Sequence, residues 1–200
     1  AQAQLQSFIQ ELNWRSGAGL ELWLENNMDV ELFLKAYAVN VMVGMWDDYW
    51  ANANNFYFYF DPNGKAYFIP YDYDNTLGTS YFFNAGTKDL LNWGNMTDRP
   101  LITKILEVER WRNLYKSYLK ELADANKPYF YVTASQQRIT TWQNLIRPYV
   151  SNDTGEDMLI DDVPAPWGNA SFYRLFSGDD QGGASGNANF FTTKVKQVTW

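Results

Sequence analysis

Apolar residues recur at helical spacing through Val30, Phe33, Leu34, Tyr37, Ala38, Val41, Met42 and Met45. This predicts a helix from about Asp29 to about Met45 with a broad buried face, and Asp29 is a good N-cap. The helix delivers the chain to Trp46-Asp47-Asp48-Tyr49. The aromatic run Asn55 to Phe60, the turn Asp61-Pro62-Asn63-Gly64 and a second apolar run from Lys65 to Ile69 then predict a β-hairpin. Pro70 ends the second strand just before Asp72-Tyr73-Asp74-Asn75-Thr76-Leu77-Gly78.

Residues 79–99 read as loop, with Gly86, Gly94 and several Asn and Asp. A second helix is predicted from Pro100 to about Ala123, with proline in its first turn. A third runs from about Thr133 to Val150, ending or kinking near Pro148. From 151 to 189 the composition shifts to Gly, Asp, Asn, Ser and Pro, which predicts a long flexible loop or lid. An apolar-periodic segment begins near Phe190 and is cut at Trp200, so a fragment of something longer is expected. Residues 1–200 are taken as one truncated domain.

Composition narrows the chemistry. The chain has 200 residues, 18% aromatic and 20% charged, which suits a packed body rather than a disordered one. Its net charge of −7 and the lack of a Lys/Arg cluster argue against nucleic acid and anionic membrane surfaces as partners. No apolar run approaches the roughly 20 residues that span a bilayer, and the first residues do not read as a signal peptide, so the chain reads as soluble. It contains neither Cys nor His. Disulfides, thiol chemistry, His-based triads and the common zinc sites are excluded together. Catalysis must rest on carboxylates, amides, Lys, Arg, Tyr or hydroxyls, with a hard cation such as Mg²⁺, Mn²⁺ or Ca²⁺.

The order helix, acidic loop with Asn, hairpin, Asp-rich loop is the layout of the catalytic part of a protein kinase. There one Asp accepts the acceptor hydroxyl's proton, an Asn binds a metal, and an Asp after the hairpin binds metal that bridges the phosphates. Asp47, Asn55 and Asp72 fall in those places, with Asp48 the alternative to Asp47. Other chemistries remain open. Asp72-Tyr73-Asp74 after a hydrophobic strand also fits a haloacid-dehalogenase-type phosphatase, with Asp72 as nucleophile, Asp74 as acid/base and Asp179 and Asp180 as distal metal ligands. A calcium loop at Asp72, Asp74, Thr76 and Gly78 lacks the required Gly and Glu positions. Asp47 and Asp72 would serve as the acid and base of a glycosidase. Phe56 to Phe60 would serve as the platform of a non-catalytic carbohydrate-binding or adhesion module, although such aromatics are more often core. Three Asn-x-Ser/Thr matches, at Asn95, Asn152 and Asn169, are weak evidence of glycosylation.

The runs Asn40 to Tyr49, Asn55 to Tyr59 and Ile69 to Gly78 resemble the CotH-type (spore coat protein H) kinases, an atypical protein kinase family. The resemblance is most specific over 28–78 and weaker through Pro100-Leu101-Ile102 and the helix with Arg110 to Leu122. It implies an α+β fold, the mainly helical C-terminal lobe of a protein kinase with a β-hairpin between the catalytic and metal-binding loops. It also implies a secreted or cell-surface, bacterial protein that uses Mg²⁺ or Mn²⁺ and transfers the γ-phosphate of ATP to protein Ser or Thr, with polysaccharide association a further option. On this resemblance Asp47 is the catalytic acid and Asp72 the principal metal ligand. Asn55 is a second ligand, Asn55 and Asp72 both face the nucleotide, and Asp74 is a less certain third ligand. No glycine-rich nucleotide loop and no strand Lys with its helix Glu precede Asp47, so the isolated chain is expected to turn over little.

Overall fold

The computed structural model describes residues 2–78, 85–154 and 189–200. The elements are, in order, α1 (Gln2–Trp14), α2 (Gly17–Asn27), α3 (Val30–Val43), β1 (Phe56–Phe60), β2 (Ala66–Pro70), α4 (Pro100–Glu107), α5 (Glu109–Ala123), α6 (Val132–Thr154) and α7 (Phe190–Val195). The architecture is α+β, mainly helical, with a two-stranded antiparallel sheet.

α3 is the central element. Asp29 caps it by accepting from Leu32 N at 3.0 Å, leaving one fewer unpaired amide at the helix start. Phe33, Leu34, Tyr37, Ala38, Val41 and Met42 are all at most 1% exposed, and α5 packs along the helix with Trp111, Tyr115 and Leu119 buried. Burial of each large apolar side chain here is worth about 1.5–3 kcal/mol.

The hairpin pairs Phe56 with Pro70, Phe58 with Phe68 and Phe60 with Ala66. Its alternation sorts the aromatics by chemistry. Phe56, Phe58 and Phe60 turn toward Phe8, Tyr49 and Phe68 in the core, while Tyr57 and Tyr59 stay exposed on the opposite face. Asp61 makes the turn: its Oδ1 accepts from Asn63 N at 2.9 Å and Lys65 N at 2.8 Å. Asp29 N donates to Ala66 O at 3.2 Å, which pins the hairpin to the start of α3.

Several expectations change. Residues 2–27, for which no element is predicted, form α1 and α2. Each buries only two side chains, Phe8 and Leu12 in α1 and Leu20 and Leu24 in α2, so the apolar stripe is too sparse to read. The single helix expected from Pro100 to Ala123 is two, broken at Val108, where an extended backbone (ψ 114°) interrupts the helical path. α6 continues past Pro148 to Thr154, so the first four residues of the expected lid are helical. The last residue of that lid, Asn189, caps α7 by accepting from Thr192 N at 2.9 Å, and residues 155–188 lie outside the described residues. The alternating strands and helices that a phosphatase fold needs are not found among the described residues, whose one sheet is the antiparallel hairpin. Asp179 and Asp180 lie outside them.

Candidate functional site

Gly44 closes α3 in the left-handed conformation, φ 74°, and turns the chain toward the acidic segment. A Cβ there would stand 2.6 Å from Cζ of Phe190, so torsion and space both require glycine. The segment that follows is held from beneath by residues 85–99. Trp93 Nε1 donates to Met45 O at 3.0 Å, Arg99 Nε to Tyr49 O at 2.7 Å, and Asn95 N to Trp50 O at 3.0 Å. Gly94 lies against the Trp50 backbone so closely that a Cβ would sit 2.2 Å from its carbonyl oxygen. Within the loop expected at 79–99, residues 93–99 thus form a cradle that satisfies three carbonyls of the acidic segment, those of Met45, Tyr49 and Trp50.

Asp47 and Asp48 part company by burial. The Asp48 side chain points inward, the residue being 1% exposed, and its Oδ1 accepts from Ala51 N at 2.8 Å. Its backbone carbonyl accepts from Asn52 N at 3.0 Å and Asn54 N at 3.2 Å, folding residues 48–54 into a tight loop. Desolvation pushes its carboxyl up to about 7, against opposing hydrogen bonds from Ala51 and Trp50. Tyr37 and Asn40 also face it, yet the Tyr37 hydroxyl, Asn40 Nδ2 and Asp48 Oδ2 lack a partner in hydrogen-bonding geometry among the described residues. A carboxyl this enclosed cannot touch an acceptor.

Asp47 faces outward, and the loop built on Asp48 rings it with amides. Asn52 Nδ2 donates to Oδ1 at 2.6 Å, Asn54 Nδ2 to both oxygens at 3.2–3.3 Å, and Asn55 Nδ2 to Oδ2 and to the backbone O of Asp47, both at 3.0 Å. These donors fix the carboxylate's direction while it stays partly open to solvent.

The Asp72 loop joins the same locus through the backbone. Tyr71 N donates to Asn55 O at 3.1 Å, extending the hairpin ladder by one rung and setting Asp72 beside Asn55 in sequence-distant company. Leu77 N donates to Val43 O at 2.7 Å and Trp46 N to Asn75 O at 3.4 Å, so the Asp-rich loop is tied to the end of α3. Tyr73 Oη donates to buried Asn40 Oδ1 at 2.7 Å. Asp74 is held above the usual carboxylate range, first by desolvation and then, against a backbone hydrogen bond from Asn75, by the like charges of Asp72 and Asp47. Asp74 therefore feels both of the other acids.

Backbone strain collects in the same place. Ala53, Asn55, Asp72 and Leu77 have φ of 55–62°, and they are the non-glycine residues in the left-handed region among those described. Two of these four are predicted ligands. Side chains rarely hold that conformation unless surrounding structure imposes it, and such residues gather at functional sites.

The arrangement brings Asp47, Asn55, Asp72 and Asp74 into one region and leaves Asp48 beneath it. Among the described residues no group of three or more acidic side chains is gathered closely enough to form a metal cage. What is present is oxygen-only: a carboxylate pair at Asp72 and Asp74 and the amide of Asn55. Sequence reasoning did not single out Asn52 and Asn54 as partners of Asp47, although both sit in the Asn-rich run that follows it. It also missed Trp93, Gly94 and Arg99, whose roles depend on contacts about 45 to 50 residues away in sequence.

No helix among the described residues is long and apolar enough to cross a membrane. No curated protein and no solved structure matches the chain. A family model described as CotH kinase protein matches residues 1–174, most of the chain's length. The chain therefore belongs to the CotH kinase protein family.

Proposed function

We propose that this chain carries the catalytic and metal-binding part of an ATP-dependent protein kinase that phosphorylates Ser or Thr of a protein acceptor at the cell surface or outside the cell. The observation that supports the reading most is the convergence on Asp47. Asn55 binds its carboxylate directly, and the next rung of the hairpin joins Asn55 O to Tyr71 N, the residue before Asp72. Asp47, aimed by three asparagine amides, orients the acceptor hydroxyl. The acceptor oxygen bonds the γ-phosphorus, the bond to the β–γ bridging oxygen breaks, ADP leaves, and the hydroxyl proton passes to Asp47.

Asp72 and Asn55, with Asp74 beside them, would hold Mg²⁺ or Mn²⁺. The donor set fits such an ion, because hard cations of this kind take one or two carboxylates and complete their shell with water and phosphate oxygens. When bound, the ion neutralises phosphate charge. Desolvation and, after it, the like charges of Asp72 and Asp47 raise Asp74, and a cation would offset that repulsion.

Two substitutions separate the roles. Asp72→Ala is expected to abolish Mg-ATP binding measured by calorimetric titration. Asp47→Asn is expected to keep that binding while phosphoryl transfer falls by about a hundredfold to ten-thousandfold. Equal Mg-ATP affinity in the wild-type and Asp72→Ala chains would sink the metal assignment.

A further inference from the structure

α7 lies beyond residues 1–174, which the family model matches, yet it reaches the pivot of the candidate site. Lys194 on this helix is 0% exposed. Its Nζ donates to Ala85 O at 2.6 Å and stands 3.8 Å from the centroid of the Trp93 ring. The same Trp93 donates its indole N–H to Met45 O, two residues before Asp47. One helical turn earlier, Phe190 occupies the space beside Gly44 that a Cβ would need, with Ala85 on its flank. Thus α7 touches both supports of the segment that leaves α3: the turn at Gly44 and the indole that anchors Met45.

A buried ammonium is an expensive way to fill space. Among the described residues the ion pairs do not include Lys194, and burial, followed by the like charge of Lys88, pushes its pKa well down. One carbonyl and one aromatic face compensate it in part. Methionine would fill the same volume without desolvating a charge, and exchanges of that kind are often neutral or stabilising. Packing alone therefore does not account for a lysine here, whereas orienting Trp93 does, because Nζ, tethered to Ala85 O, bears on the indole face and hence on where its N–H points.

We infer that α7 is a positioning element for Asp47, acting through Lys194 and Trp93 on Met45 and through Phe190 on Gly44. In function this rests on the kinase reading above; in structure it does not.

The test compares Lys194→Met, Lys194→Arg and Trp93→Phe in the 200-residue chain. Lys194→Met is expected to fold with an unchanged or higher melting temperature. Its Trp93 indole resonance and the side-chain amide resonances of Asn52, Asn54 and Asn55 are expected to shift in ¹H–¹⁵N NMR spectra. Trp93→Phe, which keeps a ring and deletes the N–H, is expected to shift the same asparagine amides. With ATP and Mg²⁺, kcat falls by about a hundredfold, the cost of misplacing a catalytic group by about an ångström, while KM for ATP holds. Lys194→Arg, which keeps a cation over the indole, recovers part of that loss. If Lys194→Met folds and leaves the three asparagine amides unmoved, the inference is wrong whatever the turnover. If those amides move but the wild-type chain neither binds Mg-ATP nor transfers phosphate, the positioning stands and the kinase reading falls.

Discussion

Asp47 and Asp48 are adjacent, chemically identical, and opposite in placement, one partly exposed and one buried, and the difference is set by which way the backbone turns after Gly44. Sequence alone left the two open, because no local signal tells which of two consecutive acids faces inward at an irregular loop. The burial of Asp48 leads to a pH prediction. Its folded-state pKa is raised from 3.8 to about 7 by desolvation. Below the lower value the group is protonated in both states and costs nothing. As pH climbs from 3.8 through about 7 the unfolded chain ionises while the folded chain resists, so stability falls across that window. Asp48→Asn cannot ionise, and its amide oxygen can still accept from Ala51 N. It should match the wild type near pH 4 in urea denaturation and exceed it by roughly 2–4 kcal/mol near pH 8, since each tenfold change in the ionisation constant is worth about 1.4 kcal/mol. A wild type whose stability does not fall relative to Asp48→Asn over that range would refute the enclosed carboxyl.

Among the elements, α3 and the hairpin were legible because their signals are local. α3 repeats apolar residues on one face and starts at a capping Asp, while the hairpin brackets a Pro-Asn-Gly turn with aromatic runs. The break between α4 and α5 was not legible, since Val108 is neither Gly nor Pro; Arg112 Nη1 donates to Leu106 O at 3.1 Å across that break. α1 and α2 depend on distant partners: Lys104 Nζ reaches Asn13 O at 3.0 Å and Arg15 O at 2.8 Å at the end of α1. Arg110 bridges Glu21 and Glu25 of α2. The segment 85–99 has no repeat at all, because its work is done by single contacts. That distinction can be tested with two glycines. Gly64 has φ 86° with open space around its missing Cβ, so Gly64→Ala should cost about 1 kcal/mol from torsion alone. Gly94→Ala would drive a Cβ into the Trp50 carbonyl, and neither backbone can yield cheaply. It should cost about 1–3 kcal/mol or more and shift the Asn52, Asn54 and Asn55 side-chain amides. If both variants melt alike and leave those amides in place, the cradle is not what holds the acidic segment.

For the whole molecule, a net charge of −7 is spread over a chain whose candidate site holds Asp74, raised first by desolvation, near enough to Asp72 and Asp47 for their like charges to raise it further. Folding works against that repulsion, and the strained φ values at Asn55 and Asp72 add to the cost. The acids are held against that repulsion by the core around α3, by the asparagine amides on Asp47 and by the backbone bonds that tie the Asp-rich loop to the end of α3. A ligand that binds only the folded chain raises its stability by RT ln(1 + [L]/Kd), about 2.7 kcal/mol at a hundredfold excess over Kd. Mg²⁺ should therefore raise the melting temperature above that in NaCl of equal ionic strength, which separates site binding from general screening. The increment should grow from pH 4 to pH 7 as Asp74 ionises, because its raised pKa leaves the site partly protonated at the acid end. Asp72→Asn should remove most of the increment while raising the baseline stability, since one of the repelling charges is gone. A melting temperature that responds equally to MgCl₂ and NaCl, in both the wild type and Asp72→Asn, would mean that the clustered charge is only a burden on the fold and that the metal belongs elsewhere.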